Sequence, residues 1–412
     1  MLSLETSIQL FWNVNVSSGG INDLAAGLPG LGRDLALEVG VQVLTQVQDE
    51  FLEKVFRGDA EVTCCGCGVV HSGREARLVR RGSRKRKLRV SSGVLCFPLR
   101  QVTCRECEKT WSPCIALLGL EPRQRFSEEL ERKLVEAVTN QSYAKTCQLA
   151  KEWLGSSISP RRLHACVQAR GTELVFTPAP GCKVAMADGT KVPAGKSRYG
   201  TDVRVAFQIL GRSVKDGRSV VHKRIAGWSI GPVGWSEALP AGIASEVIVT
   251  DREAGIPEVL QAQHPGVRHQ LCEWHLGHTS NHLMALDHVA VAQRRELVAR
   301  LNGILWGPRE EKRERYERFV NTALAQSSRT QAMLRDSLDR ILYAKPSPER
   351  TTSPAEREMR EINRRTDVGA LWTVRGVNHM LKLRHAMRLN PDDFERVWSP
   401  VAPARFTRVH HA

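Results

Sequence analysis

The segment from Ser245 to His275 constrains the fold most. It reads S-E-V-I-V-T-D-R-E-A-G-I-P-E-V-L-Q-A-Q-H-P-G-V-R-H-Q-L-C-E-W-H. Its apolar run Val247-Ile248-Val249 is short, β-branched and stopped by Thr250-Asp251, the pattern of a buried strand with a carboxylate at its C-terminal end. A helix-like stretch from Ala254 to Gln263 follows, then the breakers His264-Pro265-Gly266. A second short strand, Val267 to Leu271, delivers Cys272-x-x-His275. Strand, helix and strand at this spacing form a βαβ unit, and open α/β sheets gather their sites at the C-terminal strand ends. Taken alone, the unit fits a solvated Asp as well as a catalytic one.

The flanking sequence extends the sheet. Lys183 to Ala187 is a short apolar run ending in Asp188-Gly189-Thr190-Lys191. Val203 to Leu210 alternates into Lys215-Asp216-Gly217-Arg218, a hairpin signal, and Ser219 to Ile230 returns. Only Trp235 to Leu239 separates that strand from Val247. Three antiparallel-type strands thus precede the strand ending at Asp251, and Asp188 and Asp251 are expected on neighbouring central strands, at one edge. A helical block follows, with helices expected over His288 to Leu305, Glu310 to Leu324 and Ser327 to Tyr343, closed by the linker Lys345-Pro346-Ser347-Pro348. Ser353-Pro354 then starts a helix with Glu356 in its first turn, where a carboxylate is favoured even without chemistry. Arg360 and Arg364 share its face, whereas Glu356, Glu358 and Glu361 cannot all face one metal site.

Upstream, Cys64-x-x-Cys67 and Cys104-x-x-Cys107 are two knuckles of the kind that set four thiolates around a structural zinc ion, with Cys65 an alternative to Cys64. The eleven cysteines form no secreted disulfide framework in a chain of this length. Nine basic residues and one acid lie between Arg74 and Arg89, and Val90 to Val102 reads as ribbon strand broken by Gly93 and Pro98. Such a ribbon can meet DNA through Arg80, Arg81, Arg84, Lys85, Arg86 and Lys87, or be a solvated face. Before it, Leu35 to Val55 has helical apolar spacing suited to packing, interrupted by Gly40. After it come helices over Ser127 to Thr139, Ser142 to Leu154 and Ser159-Pro160 to about Gln168. The last two, with Arg161 and Arg162 opening the second, fit a helix-turn-helix as well as a plain packing unit. Lys plus Arg is 60 against 44 acids, a net charge of +16, which favours nucleic acid as partner over a membrane surface. Met1 to Val16 carries Glu5 and lacks a signal-peptide pattern, and no apolar run is long enough for a membrane span, so a cytosolic location is expected.

Two Asp at strand ends and one Glu on a later helix make a hard-oxygen set suited to Mg2+ or Mn2+. At this point the chain resembles the Mutator-like group of DDE transposases, which includes bacterial insertion-sequence enzymes. Asp188-Gly189-x-Lys191 and Val249-Thr250-Asp251 are similar to the first and second acids of that group with their surroundings. Pro265 through Gln270-x-Cys272-x-x-His275 is similar to its Pro…Gln-x-Cys-x-x-His segment, and Thr351-Thr352 through Glu356-Arg357-x-x-Arg360-Glu361-x-x-Arg364-Arg365-Thr366 and Gly369 to its third-acid helix. Where the group shows Thr-Thr-Asn, this chain has Thr351-Thr352-Ser353, then Pro354, and Trp235 to Leu239 is short for the helix expected there.

The resemblance implies a ribonuclease H-like α/β catalytic core with a helical insertion before the third acid, in a multidomain α+β chain. It implies Asp188, Asp251 and Glu356 as ligands of catalytic Mg2+ or Mn2+, with Cys272, His275 and Arg360 in support. The activity implied is cutting of the element's terminal inverted repeats and joining of the 3′-hydroxyl ends to target double-stranded DNA, by a homo-oligomer on paired ends. A transposase-derived DNA-binding protein without catalysis is the alternative. The expected divisions are a helical region (1–60), a zinc ribbon (61–115), a helical DNA-binding region (116–178), core (179–276), helical insertion (277–350), last core helices (351–395) and a basic tail (396–412).

Overall fold

The computed structural model describes residues 21–398 apart from 75, 156, 309–310 and 342–348. Met1 to Val16, the Lys345-to-Pro348 linker and the tail from 399 lie outside the described residues. The chain forms two compact units, dividing between Cys166 and Val167.

Unit 1 begins with α1 (Ile21–Arg57), which starts earlier than its apolar spacing suggests and runs through Pro29. The strands β1 (Val62–Thr63), β2 (Val70–His71), β3 (Leu78–Val90), β4 (Gly93–Cys104) and β5 (Thr110–Trp111) follow. Then come α2 (Cys114–Leu117), α3 (Glu128–Asn140), α4 (Tyr143–Leu154) and α5 (Pro160–Glu173), the last spanning the division. The third of the expected helices thus runs past Gln168 to Glu173. β3 and β4 pair antiparallel along nearly their whole length, and Pro98 sits opposite Lys85 without breaking the strand. The ribbon survives there because α1 supports it. Gln48 Nε2 donates to the Pro98 carbonyl at 2.9 Å, and the Arg100 guanidinium grips Asp49 with two bonds of 2.7 Å. Gly40 has a packing reason: a Cβ there would meet Leu95 Cδ2 at 3.0 Å. Ser127 and Ser142 cap α3 and α4 through their side chains, and Gly155 ends α4 in the left-handed region, φ 61°.

Unit 2 is a mixed α/β layer structure. Its elements are β6 (Val184–Val192), β7 (Thr201–Lys215), β8 (Arg218–Ile230), α6 (Trp235–Ala238), β9 (Val247–Thr250), α7 (Ile256–Gln263), β10 (Arg268–Leu271), α8 (Glu273–Leu286), α9 (Val291–Trp306), α10 (Lys312–Arg318), α11 (Ser328–Ser337), α12 (Ser353–Thr366), α13 (Val374–Leu389) and α14 (Pro391–Arg396). The sheet order is β10-β9-β6-β7-β8. β9 lies parallel to β6 and β10, while β6, β7 and β8 form an antiparallel meander. The β7–β8 turn takes positive φ at Asp216 (51°) and Gly217 (71°), the hairpin geometry that Asp-Gly favours.

The alternation of side chains sorts the two sheet faces. Val184, Met186, Val247 and Val249 pack with Ala355, Met359 and Ile362 of α12 and Val377 and Leu381 of α13. Ala185, Ala187 and Ile248 face the other way, with Trp235, Leu239, Ile256 and Leu260. Small residues let the single-turn α6 close in: a Cβ on Gly227 would lie 2.1 Å from the Ala238 carbonyl oxygen.

Several expectations are corrected here. Asp188 is not the end of its strand, because β6 continues to Val192 in register with β7. A whole helix, α8, begins directly after Cys272, and His288 falls in the turn that follows it with φ 60°. The block expected over Glu310 to Leu324 is α10 followed by a π-helical turn, Phe319–Ala323. α11 gives way at Leu338 to a 3-10 turn. The chain from Pro391 forms α14, within the expected last core helices, held by buried Phe394 and by Asn390 Nδ2 donating to Asp393 at 2.6 Å. Among the described residues no helix is long and apolar enough to cross a membrane.

Candidate functional sites

In unit 1 the two knuckles close on one point. The sulfur atoms of Cys64, Cys67, Cys104 and Cys107 all lie within 4.8 Å of one another, so the four could hold a metal ion such as zinc. Cys64 and Cys107 are 3.6 Å apart and Cys67 and Cys104 3.8 Å. Tetrahedral zinc–sulfur bonds of about 2.3 Å place their sulfurs roughly 3.8 Å apart, so the set fits. Cys65 stays exposed and outside the set. Gly66 suits the close approach, because a Cβ there would sit 3.0 Å from the Cys107 sulfur. Burial raises the Cys64 thiol, but the N–H groups of Cys67 and Gly66 and the neighbouring thiols outweigh it and bring it to about 7. The Val69 amide pulls Cys67 down, yet burial and the other three thiols drive it up to about 12. Crowded thiols that oppose one another's ionisation are what a bound cation would reconcile. His71, which the spacing did not single out, lies buried with Nε2 3.4 Å from the Cys104 sulfur.

The basic ribbon divides into two sets. Arg80 pairs with Glu53 at 2.6 Å and lies over the Phe56 ring, Arg81 donates to Thr103 at 3.2 Å, and Arg86 donates to the carbonyls of Glu121 and Gln124. Arg84, Lys85 and Lys87 are exposed, and no ion pair reaches them among the described residues. Arg162 likewise is tied to Glu131 and stacked over Phe126, while Arg161 is exposed.

In unit 2 the face that packs α12 is the face that carries the acids. Asp188 continues the row of Val184 and Met186 within β6, and Asp251 follows directly on the end of β9. α12 crosses them: the Thr190 hydroxyl and the Asn363 amide exchange contacts of 3.1 and 2.9 Å. Asp188 is buried and its Oδ1 accepts from the Gly189 amide at 2.9 Å. Burial, then the charges of Asp251 and Glu356, push its carboxyl up to about 7, against the pull of Gly189 and His275. Asp251 Oδ1 accepts from the Glu253 amide at 3.0 Å. The three glutamates of α12 have different surroundings. Glu358 is buried and paired with Lys223 at 3.1 Å and Arg388 at 3.2 Å, and Glu361 is tied to Arg364 and Arg384. Glu356 has no ion pair among the described residues, and Arg360 is exposed one turn further on.

The Gln270-to-His275 segment seats the chain that enters α12. Gln270 Nε2 donates to the Glu349 carbonyl at 2.9 Å, and the Glu273 amide to that of Arg350 at 3.0 Å. The buried Cys272 sulfur accepts from the Thr352 amide at 3.4 Å and hydroxyl at 3.5 Å, and His275 Nδ1 lies 3.4 Å from the same hydroxyl. Burial would raise the thiol and lower the imidazole. Their mutual contact, with Thr352 on the thiol side and Asp188 and Asp251 on the imidazole side, reverses both, leaving Cys272 lowered and His275 at about 9. The pair therefore clamps Thr352 at the start of the Glu356 helix.

One acid at this edge was not singled out by sequence. Glu253 pairs with Arg204 at 3.1 Å and sits over Gly189, where a Cβ would lie 3.4 Å from its carboxylate. A cleft of about 360 Å³ opens here, lined by Asp251, Glu253, Cys272 and His275 among others. Comparison of the chain with protein-family models and with curated proteins finds no match.

Proposed function

We propose that the chain is a DNA transposase of the Mutator-like DDE group, with a ribonuclease H-like core in unit 2 and a zinc-stabilised, basic DNA-binding unit 1. The observation that carries this reading is that Asp188 on β6, Asp251 just past the end of the neighbouring parallel β9 and Glu356 on α12 lie close enough for the charges of the latter two to act on Asp188, in a chain of net charge +16. Three carboxylates from separate elements are an all-oxygen donor set of the kind Mg2+ or Mn2+ takes. Burial, joined by the charges of Asp251 and Glu356, raises Asp188, and a bound cation would offset both. When bound, two ions supply Lewis-acid stabilisation of the attacking and leaving oxygens in phosphoryl transfer.

The protein's own groups do the rest. The Cys272–His275 clamp keeps the start of α12, and with it Glu356, at the edge shared by Asp188 and Asp251. His275 adds a positive charge beside the two Asp side chains. Of the basic residues expected to contact DNA, Arg84, Lys85, Lys87 and Arg161 are exposed and face phosphates in this reading.

The test uses duplexes ending in the inverted repeats that this reading expects on either side of the gene, with Mg2+. Cleavage that exposes 3′-hydroxyl ends, followed by their joining to a second duplex, is expected. Wild-type protein that leaves these ends intact, or Glu356→Ala protein that cuts them equally, rejects the reading. A second reading, DNA binding without catalysis, is favoured by the basic ribbon lying in the unit that carries none of the three acids. It requires end binding unchanged in Asp251→Asn protein and no strand breakage with any divalent metal.

A further inference from the structure

Trp274 stands between Cys272 and His275 in the first turn of α8, yet it is 50% exposed. Its indole lies flat against the exposed His278 ring, with centroids 5.3 Å apart and planes at 11°. Its edge meets the His275 ring at 4.9 Å and 78°. His275 in turn lines the cleft with Asp251. The spacing explains the arrangement: positions 274 and 278 are four apart and share one helix face, while Leu276 and Ser280 turn inward and are buried. The half-exposed indole is backed by a second aromatic ring, which leaves its other face free for a flat partner.

We propose that Trp274, backed by His278, is a stacking platform for one unpaired nucleobase of a DNA strand held at the Asp188–Asp251 edge. The inference rests on the DNA-processing reading of that edge. A nucleobase is the partner whose chemistry matches: every base has a π-face that stacks on an indole whatever the sequence, and a strongly basic chain brings the phosphodiester backbone to it. A strand whose backbone must reach buried carboxylates is distorted locally, and an aromatic surface stabilises the base that leaves the stack.

The test titrates full-length, zinc-loaded protein, without divalent cation, with short single-stranded oligonucleotides carrying 2-aminopurine at each position in turn, and with their abasic counterparts. Wild type is expected to quench one position selectively. Trp274→Ala is expected to lose that quenching and bind the base-containing strand roughly tenfold more weakly, with no change for the abasic one, and Trp274→Phe to retain most of both. Equal quenching and equal base dependence in Trp274→Ala overturns the proposal. So does a shift of Trp274→Ala toward monomer in the absence of DNA, which would mean that a second copy of the chain covers the indole. None of these readouts needs cleavage. Protein that never cuts DNA but shows Trp274-dependent quenching rejects the transposase reading and keeps the platform. Protein that cuts at wild-type rate and base dependence after Trp274→Ala rejects the platform alone.

Discussion

The two units gather their reactive side chains in opposite ways. In unit 1, four sulfur atoms come from two tight knuckles joined by one hairpin, and they leave no position for water. In unit 2, three oxygen-bearing side chains come from a mid-strand position, the residue just past a strand end and a helix start, and of the three Asp251 lines a cleft. The first arrangement is soft, closed and local, and suits a structural ion. The second is hard and assembled over long range, and it is the set on which the proposed chemistry rests. Holding the second together therefore takes devices the first does not need. The clamp of Thr352 by Cys272 and His275 is one, and the buried Glu358 network is another.

The largest expected difference between the units is their response to chelation. Removing zinc, or Cys104→Ser, is expected to destabilise unit 1 by on the order of 10 kcal/mol, enough to unfold it, while the circular dichroism and thermal transition of unit 2 persist. Loss of both transitions together would break the comparison.

Next in size is Glu358→Ala. It strands Lys223 and Arg388 beside buried His385 and is expected to cost unit 2 roughly 3–5 kcal/mol in denaturant unfolding, with unit 1 unchanged. Burial pushes the Glu358 carboxyl up, but His385, Lys223 and Arg388 hold it down at about 2, below its ordinary 4.5. A depressed carboxyl stabilises the fold fully above pH 4.5 and loses that contribution as pH falls toward 2. Acid titration of unfolding in wild type and Glu358→Ala should therefore converge across that window.

Cys272→Ala removes the acceptor of two Thr352 bonds. It is expected to slow cleavage by roughly 10–100-fold while costing about 1–3 kcal/mol of stability and leaving DNA affinity unchanged. Thr352→Ser, which keeps the hydroxyl, should be close to wild type. The smallest effect belongs to the ribbon. Replacing Arg84, Lys85 and Lys87 by Ala is expected to reduce the salt slope of DNA binding by about 1 per residue without changing stability. Arg80→Ala and Arg86→Ala, whose side chains are held within unit 1, should instead lower its melting temperature.

What was legible in the sequence follows the same division. The knuckles could be read because metal spacing is local, and the structure adds that Cys64 rather than Cys65 joins the set. The Asp rows could be read because strand alternation is local too: residues 184, 186 and 188 and residues 247, 249 and 251 share a parity, and the buried members of both rows meet α12. The length of β6 beyond Asp188 could not, because pairing with β7 supplies it. α8 was missed because its buried face is set by packing, as at Gly277, where a Cβ would lie 2.9 Å from Asn302 Oδ1. The Thr352 clamp joins residues 80 and 77 positions apart, and no local pattern announces it.

The central claim is that Asp188, Asp251 and Glu356 act as one set while the other glutamates of α12 do not. The most direct measurement is single-turnover cleavage of end-bearing duplex in Mg2+ by Asp188→Asn, Asp251→Asn, Glu356→Gln and Glu361→Gln proteins, each first shown to bind the duplex. Cleavage by the first three is expected to fall by at least roughly 10²–10³-fold, and Glu361→Gln is expected to keep it. Persistent cleavage in any of the first three, or equal loss in Glu361→Gln, would contradict the claim.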